Sequence, residues 1–309
     1  MTARVAVAVL GGDEREHHIA NTLAETGLDV RTFGGAVLDP HAAYRRARTA
    51  RDAVNGADWV LCPYPGLTIS DEVYSPASDI PIRLDRDLLA ASAAQRGGLV
   101  LGRASEQVRA LCGDLGITIH ETKADSGLVV KTATAVSEAL VAVLVESTHR
   151  LLREHLFVVL GFGSTGLAIT QLLLAMRCEV VVAARSRRDR ERARQLGARP
   201  VAYVDRVEVM ETADIVVNTV PAPDAVPVSV GASRITARIF DIASPPGGMD
   251  HQALVGAGLD VNWVRGLGGL RAPVSMAEAQ LEFFQELIAD GVESRPQVPE
   301  RQPIATSKS

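Results

Sequence analysis

Lysine is nearly absent from this chain of 309 residues: among 32 basic side chains only Lys123, Lys131 and Lys308 are lysine. Basic charge is not in excess either, because 37 carboxylates leave a formal net charge of -5. That balance excludes the concentrated basic face a polyanion needs, so nucleic acid is not an expected partner. Cys62, Cys112 and Cys178 are widely spaced and each lies in or beside an apolar run. They form neither a disulfide framework nor a metal or redox motif, which predicts reduced core cysteines in a cytoplasmic protein and no bound metal. The first apolar run, in MTARVAVAVLGG, is short and passes straight into Gly11, Gly12, Asp13 and Glu14, unlike a signal peptide or membrane span.

One acidic residue is conspicuously missing. Phe157 to Leu160 read as a buried strand, followed by Gly161, Gly163 and Gly166 at GxGxxG spacing, a helical run, and a second strand at Glu179 to Ala184. Glycines so placed allow a tight turn, close backbone approach to a pyrophosphate, and close packing of helix on strand. The amides of Ser164 and Thr165 would open that helix and face an anion. Sites selective for NAD carry Asp or Glu about 20 residues on, to accept hydrogen bonds from the ribose 2′-hydroxyl. Here that place holds Arg185, Ser186, Arg187 and Arg188 instead. Guanidinium groups pair with a 2′-phosphate where a carboxylate would repel it, so the expected cofactor is NADP. The same arginines would also suit the solvated first turn of a helix.

Alternation of strands and helices extends to both sides of the glycine motif and predicts two αβ domains with mostly parallel sheets. Residues 1–127 form the first, with strands at Val5 to Leu10, Asp29 to Phe33, Trp59 to Cys62, Leu99 to Leu101 and Thr118 to Ile119, and helices at Glu14 to Thr26 and Glu106 to Leu115. A linker at 128–153 holds an apolar helix from Val136 to Leu152, and 154–272 form the nucleotide domain. Its later strands are expected at Pro200 to Tyr203, Asp214 to Thr219, Arg238 to Ala243 and Leu259 to Val264, with a helix at Arg190 to Leu196. An amphipathic helix within 273–290 should cross back to the first domain. The stretch 295–309, rich in Pro, Gln and Ser, is expected to be disordered.

Chemistry is sought at the carboxyl ends of strands, where open α/β sheets place their clefts. Asn218, Thr219, Val220, Pro221, Asp241 and Ala243 are candidates for cofactor contact, and Ser244 and Gly268 for substrate contact. Asp13 and Arg15, after the first strand, are further substrate candidates; His17 is a candidate for proton transfer. Scarcity of lysine draws attention to Lys123 and Lys131, and Lys131 is the preferred carboxylate anchor or proton donor, because arginine does not readily release a proton.

The segments GGDEREHHIA, VVLGFGSTGLAI, AARS, VVNTVPAP, FDIASPPGGMD and VRGLGGLRAPVSMAEAQ follow one another as in the A subunit of dipicolinate synthase. The chain resembles that family from Val5 to Gln280. The resemblance implies a flavodoxin-like N-terminal domain plus a Rossmann NADP domain, the architecture of formate, glycerate and alanine dehydrogenases. It implies oxidation of a dihydrodipicolinate-pathway intermediate to pyridine-2,6-dicarboxylate during sporulation, with a flavoprotein-like B subunit as partner. Departures fall where substrate should bind: the family's ASRPGG arginine is replaced within Ala243 to Gly248, its PGLPG segment is Arg265 to Gly269, and the lysine after its APK proline is Val274. Lys131, Arg265 or Arg271 would have to restore those cations, and Arg271 joins Lys131 and His17 as a catalytic candidate. The resulting expectation is a homo-oligomeric NADP-dependent oxidoreductase acting on a small anionic carboxylate, with no membrane association. Two alternatives remain: a dehydrogenase of another small carboxylate, and a non-catalytic NADPH sensor.

Overall fold

The computed structural model describes residues 4–293 except 69, 229–233 and 245–246. The predicted disorder at 295–309 lies outside the described residues. The first domain runs β1 (Ala6–Leu10), α1 (Glu14–Glu25), β2 (Asp29–Phe33), β3 (Arg45–Arg46), α2 (Ala50–Val54), β4 (Trp59–Leu61), α3 (Arg86–Ala90), β5 (Gly98–Leu101), α4 (Glu106–Leu115) and β6 (Ile119–Glu121). Every pairing in its sheet is parallel, in the order β3-β2-β1-β4-β5-β6. Leaving out the two-residue edge strand β3, the order is that of flavodoxin-like folds. Parallel strands are covered on both faces, which is why Val7 to Leu10 are a continuous apolar run, fully or almost fully buried.

Helix α5 (Ser126–Ser147) leads into the second domain: β7 (Leu156–Leu160), α6 (Ser164–Ala175), β8 (Glu179–Ala184), α7 (Arg187–Gln195), β9 (Arg199–Ala202), α8 (Arg206–Met210), β10 (Ile215–Asn218), β11 (Arg238–Asp241), α9 (His251–Gly256) and β12 (Val261–Trp263). This sheet is also wholly parallel, ordered β9-β8-β7-β10-β11-β12, the doubly wound order of dinucleotide-binding folds. The chain closes with α10 (Leu267–Arg271) and α11 (Pro273–Glu293).

Two helices tie the domains together. Ala139, Leu140 and Leu144 of α5 enter the second domain's core, whereas Ala277, Leu281, Phe284 and Ile288 of α11 enter the first domain's core. Helix α5 begins at Ser126, ten residues before the apolar run suggests, because Asp125 caps it by accepting the Leu128 amide at 2.6 Å. By length and composition α5 could cross a membrane, but here it packs against α6, α10 and α11.

Candidate active site

The carboxyl end of β7 turns at Gly161, whose φ of +94° favours glycine. A side chain there would also strike Thr219 Oγ1 and Val220 Cγ2, and one at Gly166 would strike the Gly161 carbonyl. These two glycines therefore let β7, the turn and α6 pack closely. Gly163 differs: a Cβ at this exposed residue would meet nothing within 4 Å. Gly163 is the N-cap of α6 and no side chain caps that helix, so its first amides face open space. With the helix dipole behind them, they suit a pyrophosphate.

Beyond β8, Arg185, Ser186, Arg187 and Arg188 are all exposed. Ser186 caps α7 by accepting the Asp189 amide at 2.9 Å, while Arg190 holds the strand end by donating to the carbonyls of Ala184 and Arg185. Arg185 and Arg187 make no ion pair among the described residues. The buried Tyr203 hydroxyl lies near Arg185 and has no partner among them either. Bare helix amides and exposed, unpaired guanidinium groups suit the phosphates of a dinucleotide.

The buried side chains of Asn218 and Asp241 do not reach this space. Asn218 donates to Asp241 Oδ1 at 2.9 Å and to the Val220 carbonyl at 3.0 Å. Asp241 also accepts the Ala243 amide at 3.0 Å and the Gly248 amide at 2.8 Å, and its Oδ2 lies 2.8 Å from His251 Nε2. Four partners saturate this carboxylate, so the Asn218 and Asp241 side chains shape the loops after β10 and β11, and any contact these two residues make with a cofactor falls to the backbone of those loops. Thr219 donates to the Leu160 carbonyl, Val220 leans over Gly161, Ala243 is buried, and Pro221 and Ser244 are exposed at the strand ends.

Opposite, the amino end of α1 presents a compact charged group. Arg15 Nε and Nη2 donate to Asp13 Oδ1 and Oδ2, both at 2.8 Å, with the guanidinium side chain only 5% exposed. Asp13 caps α1, and Glu16 Oε2 accepts the Asp13 amide at 2.9 Å in a capping box. Burial acts to raise the Asp13 pKa, but the Arg15 pairing outweighs it and holds the carboxyl below its ordinary value. Glu16 is pushed up to about 7 by burial, which Arg15 only partly counters, and its Oε1 has no partner among the described residues. Tyr64 and Tyr74 flank Arg15, and burial raises both phenols.

Helix α10 closes against this group. A Cβ at Gly269 would lie 2.8 Å from Asp13 Oδ2 and 2.9 Å from Arg15 Nε, so close approach requires glycine there. Gly268, the substrate candidate, faces Met276, and it is Gly269 that lies against Asp13 and Arg15. Arg265 stacks over the Trp263 ring at 4.7 Å and is close enough to Tyr74 to act on its phenol.

All three catalytic candidates fall elsewhere. Lys131 is an exposed residue of α5, ion-paired with Glu282 of α11. Arg271 pairs with Glu146 at 3.2 Å on the exposed side of α10. His17 is buried under α1 with Nδ1 2.8 Å from the Tyr44 hydroxyl, and burial lowers its pKa. The half-buried lysine is Lys123: it donates to the Pro65 carbonyl at 3.3 Å, lies 5.7 Å from the Tyr64 ring centre, and is lowered in pKa by burial and then by Arg103. Tyr64, Tyr74 and Glu16 were not singled out by sequence reasoning. The chain has only four tyrosines, and Tyr64 stands just past a strand's carboxyl end, which was the available signal.

Residues 6–122 match the family model of the N-terminal domain of the dipicolinate synthase A subunit, and residues 136–237 match the D-isomer specific 2-hydroxyacid dehydrogenase NAD binding domain. The A subunit of dipicolinate synthase from Bacillus subtilis (strain 168) is 23% identical over 292 residues, 94% of this chain and 98% of that protein. The chain is thus similar over nearly its whole length to dipicolinate synthase A subunits, and its first domain carries that family's N-terminal domain. The crystal structure of the Bacillus subtilis protein superposes with a TM-score of 0.78 at 22% identity, over 96% of this chain and 99% of that one. The A subunit from Bacillus halodurans gives 0.78 at 20% identity, over 93% and 99%. D-lactate dehydrogenase with NAD+ from Lactobacillus jensenii shares the fold, with a TM-score of 0.55 at 12% identity over 94% and 98%. The second domain of this chain is a dehydrogenase-like domain for a nicotinamide cofactor.

Proposed function

We propose that the chain is an NADP-dependent oxidoreductase acting on a small carboxylate such as a dihydrodipicolinate-pathway intermediate. The observation that carries the cofactor choice is the absence of any carboxylate at the end of β8, where exposed Arg185 and Arg187 stand without ion pairs among the described residues. Bound NADP supplies the hydride acceptor or donor. The amides of Ser164 and Thr165 would hold the pyrophosphate, and Arg185 with Arg187 would hold the 2′-phosphate.

Across the cleft, Arg15 orients the substrate carboxylate. Its own pairing with Asp13 fixes the guanidinium plane, so little side-chain freedom is lost when an anion arrives. Glu16, held near neutral pH by burial, sets the charge of this cluster, and Lys123 is the lysine whose lowered pKa suits proton transfer. The dipicolinate pathway, a flavoprotein-like B subunit and a homo-oligomer belong to this reading through the family. The test is absorbance at the nicotinamide band with NADP+ and NAD+, supplied in turn with dihydrodipicolinate and a series of 2-hydroxy acids. Turnover with NADP+ and a carboxylate supports the reading; binding without turnover across the series favours a sensor.

A further inference from the structure

A second cavity opens at the carboxyl ends of β2 and β3, with a volume of about 280 Å³. It is separate from the nucleotide loop and lies beside the Asp13 and Arg15 group, since the turn at Gly11 bonds the Phe33 carbonyl at 2.8 Å. Arg46 and Arg48 both line it. Arg46 ends β3 and Arg48 stands in the bend just beyond it, both exposed. Arg45, the other residue of β3, instead donates to Asp29 Oδ1 at 2.6 Å. Neither Arg46 nor Arg48 has an ion pair among the described residues, and no carboxylate lines the cavity.

The rest of the wall is equally suited to an oxyanion. Gly34 has a φ of +76°, and the Gly34 and Gly35 amides donate to no protein acceptor among the described residues. Consecutive free amides around such a turn form an anion-binding concavity. Gly35 must be glycine, because a Cβ would lie 2.7 Å from the Gly11 carbonyl. Val37 and Ile80, exposed at 41% and 60%, add an apolar side to the cavity.

We infer that this cavity is a binding site for a small organic oxyanion with an apolar body, held by Arg46, Arg48 and the Gly34 and Gly35 amides. Its size sits just below the range of ordinary ligand pockets, roughly 300 to 1,000 Å³, so the ligand is a mononuclear anion and not a dinucleotide. The closed cap of α1 leads to the same limit, because Asp13 occupies the helix start where a pyrophosphate would sit.

The full chain, saturated with NADPH to fill the second domain, is titrated by calorimetry with phenyl phosphate and, separately, with benzoate. One of the two should bind, which tells whether the anion is a phosphate or a carboxylate. The double variant Arg46→Gln with Arg48→Gln should weaken that probe at least tenfold while NADPH affinity stays within twofold. The single exposed change Arg48→Gln, with little risk to folding, should weaken it at least threefold. Arg15→Gln should leave it within twofold, which separates this cavity from the cleft. The inference is overturned if neither probe binds at millimolar concentration, if the arginine variants bind as well as the unmodified chain, or if Arg15→Gln abolishes binding.

Discussion

The two domains repeat one scaffold and differ at the start of one helix. In each, a central strand runs through a glycine turn into a 12-residue helix, α1 or α6, in sheets of the same order. The first helix is closed by its own side chains: Asp13 and Glu16 form a capping box, and Arg15 neutralises Asp13. The second has Gly163 at its N-cap and no capping side chain, leaving its amides for a ligand. A helix start that satisfies itself holds Arg15 rigidly, whereas one left unsatisfied is suited to a phosphate. Two residues of capping chemistry therefore divide the labour between otherwise similar halves.

Breaking the open helix start should have the largest effect. Gly163→Val places its side chain in empty space, so the melting temperature should stay within about 2 °C while NADPH affinity falls at least 100-fold in calorimetry. Unchanged affinity would remove the phosphate role from α6. Breaking the closed start comes next. Arg15→Gln should lower kcat/KM for a carboxylate substrate by about 100-fold, with NADPH affinity within twofold, and Arg15→Lys should recover part of it. A loss confined to NADPH affinity would contradict the division.

The pH dependence of stability sharpens the comparison. Glu16 is raised by burial to about 7 in the folded chain, against an ordinary value of 4.5. Between those values the folded state binds more protons than the unfolded one, so stability falls as pH rises from about 4.5 to about 7, by on the order of 2 to 3 kcal/mol. Glu16→Gln keeps an acceptor for the Asp13 amide and should flatten that slope, leaving the variant more stable than the parent at pH 8 in thermal melts. An identical slope in both would mean that Glu16 ionises normally.

Smaller effects are expected at the arginines and at the exposed lysine. Arg185→Ala should weaken NADPH relative to NADH by about 1.5 to 3 kcal/mol, and equal losses would place the 2′-phosphate elsewhere. Lys131→Met removes only an exposed ion pair with Glu282, so turnover should stay within twofold and stability within about 0.5 kcal/mol. A tenfold loss of turnover would bring Lys131 back into the cleft.

These positions mark where the sequence was readable. Apolar runs and punctuating glycines located most strands of both sheets, because parallel strands are buried on both faces and announce themselves locally. The glycine loop was readable for the same reason: turn, strand and helix are adjacent in sequence. The charged group at α1 was only half readable. Asp13 and Arg15 were named, but their neighbours Tyr64, Tyr74, Lys123 and Gly269 come from four distant segments, and nothing local shows that they converge. Lysine scarcity drew attention to Lys123 and Lys131 and favoured Lys131, the one the fold leaves exposed. Helix α5 sets their fates, since Lys123 precedes its cap whereas Lys131 lies on its outer side, facing Glu282. Short β3, α2 and α3 escaped because they are only two to five residues long and carry almost no periodicity.

A crystal structure of the chain with NADPH tests the division of labour most directly. The account predicts the pyrophosphate on the Ser164 and Thr165 amides, the 2′-phosphate on Arg185, and no nucleotide at Gly12 and Asp13. A pyrophosphate seated against α1, or a 2′-phosphate contacting none of Arg185, Ser186 and Arg187, would contradict it.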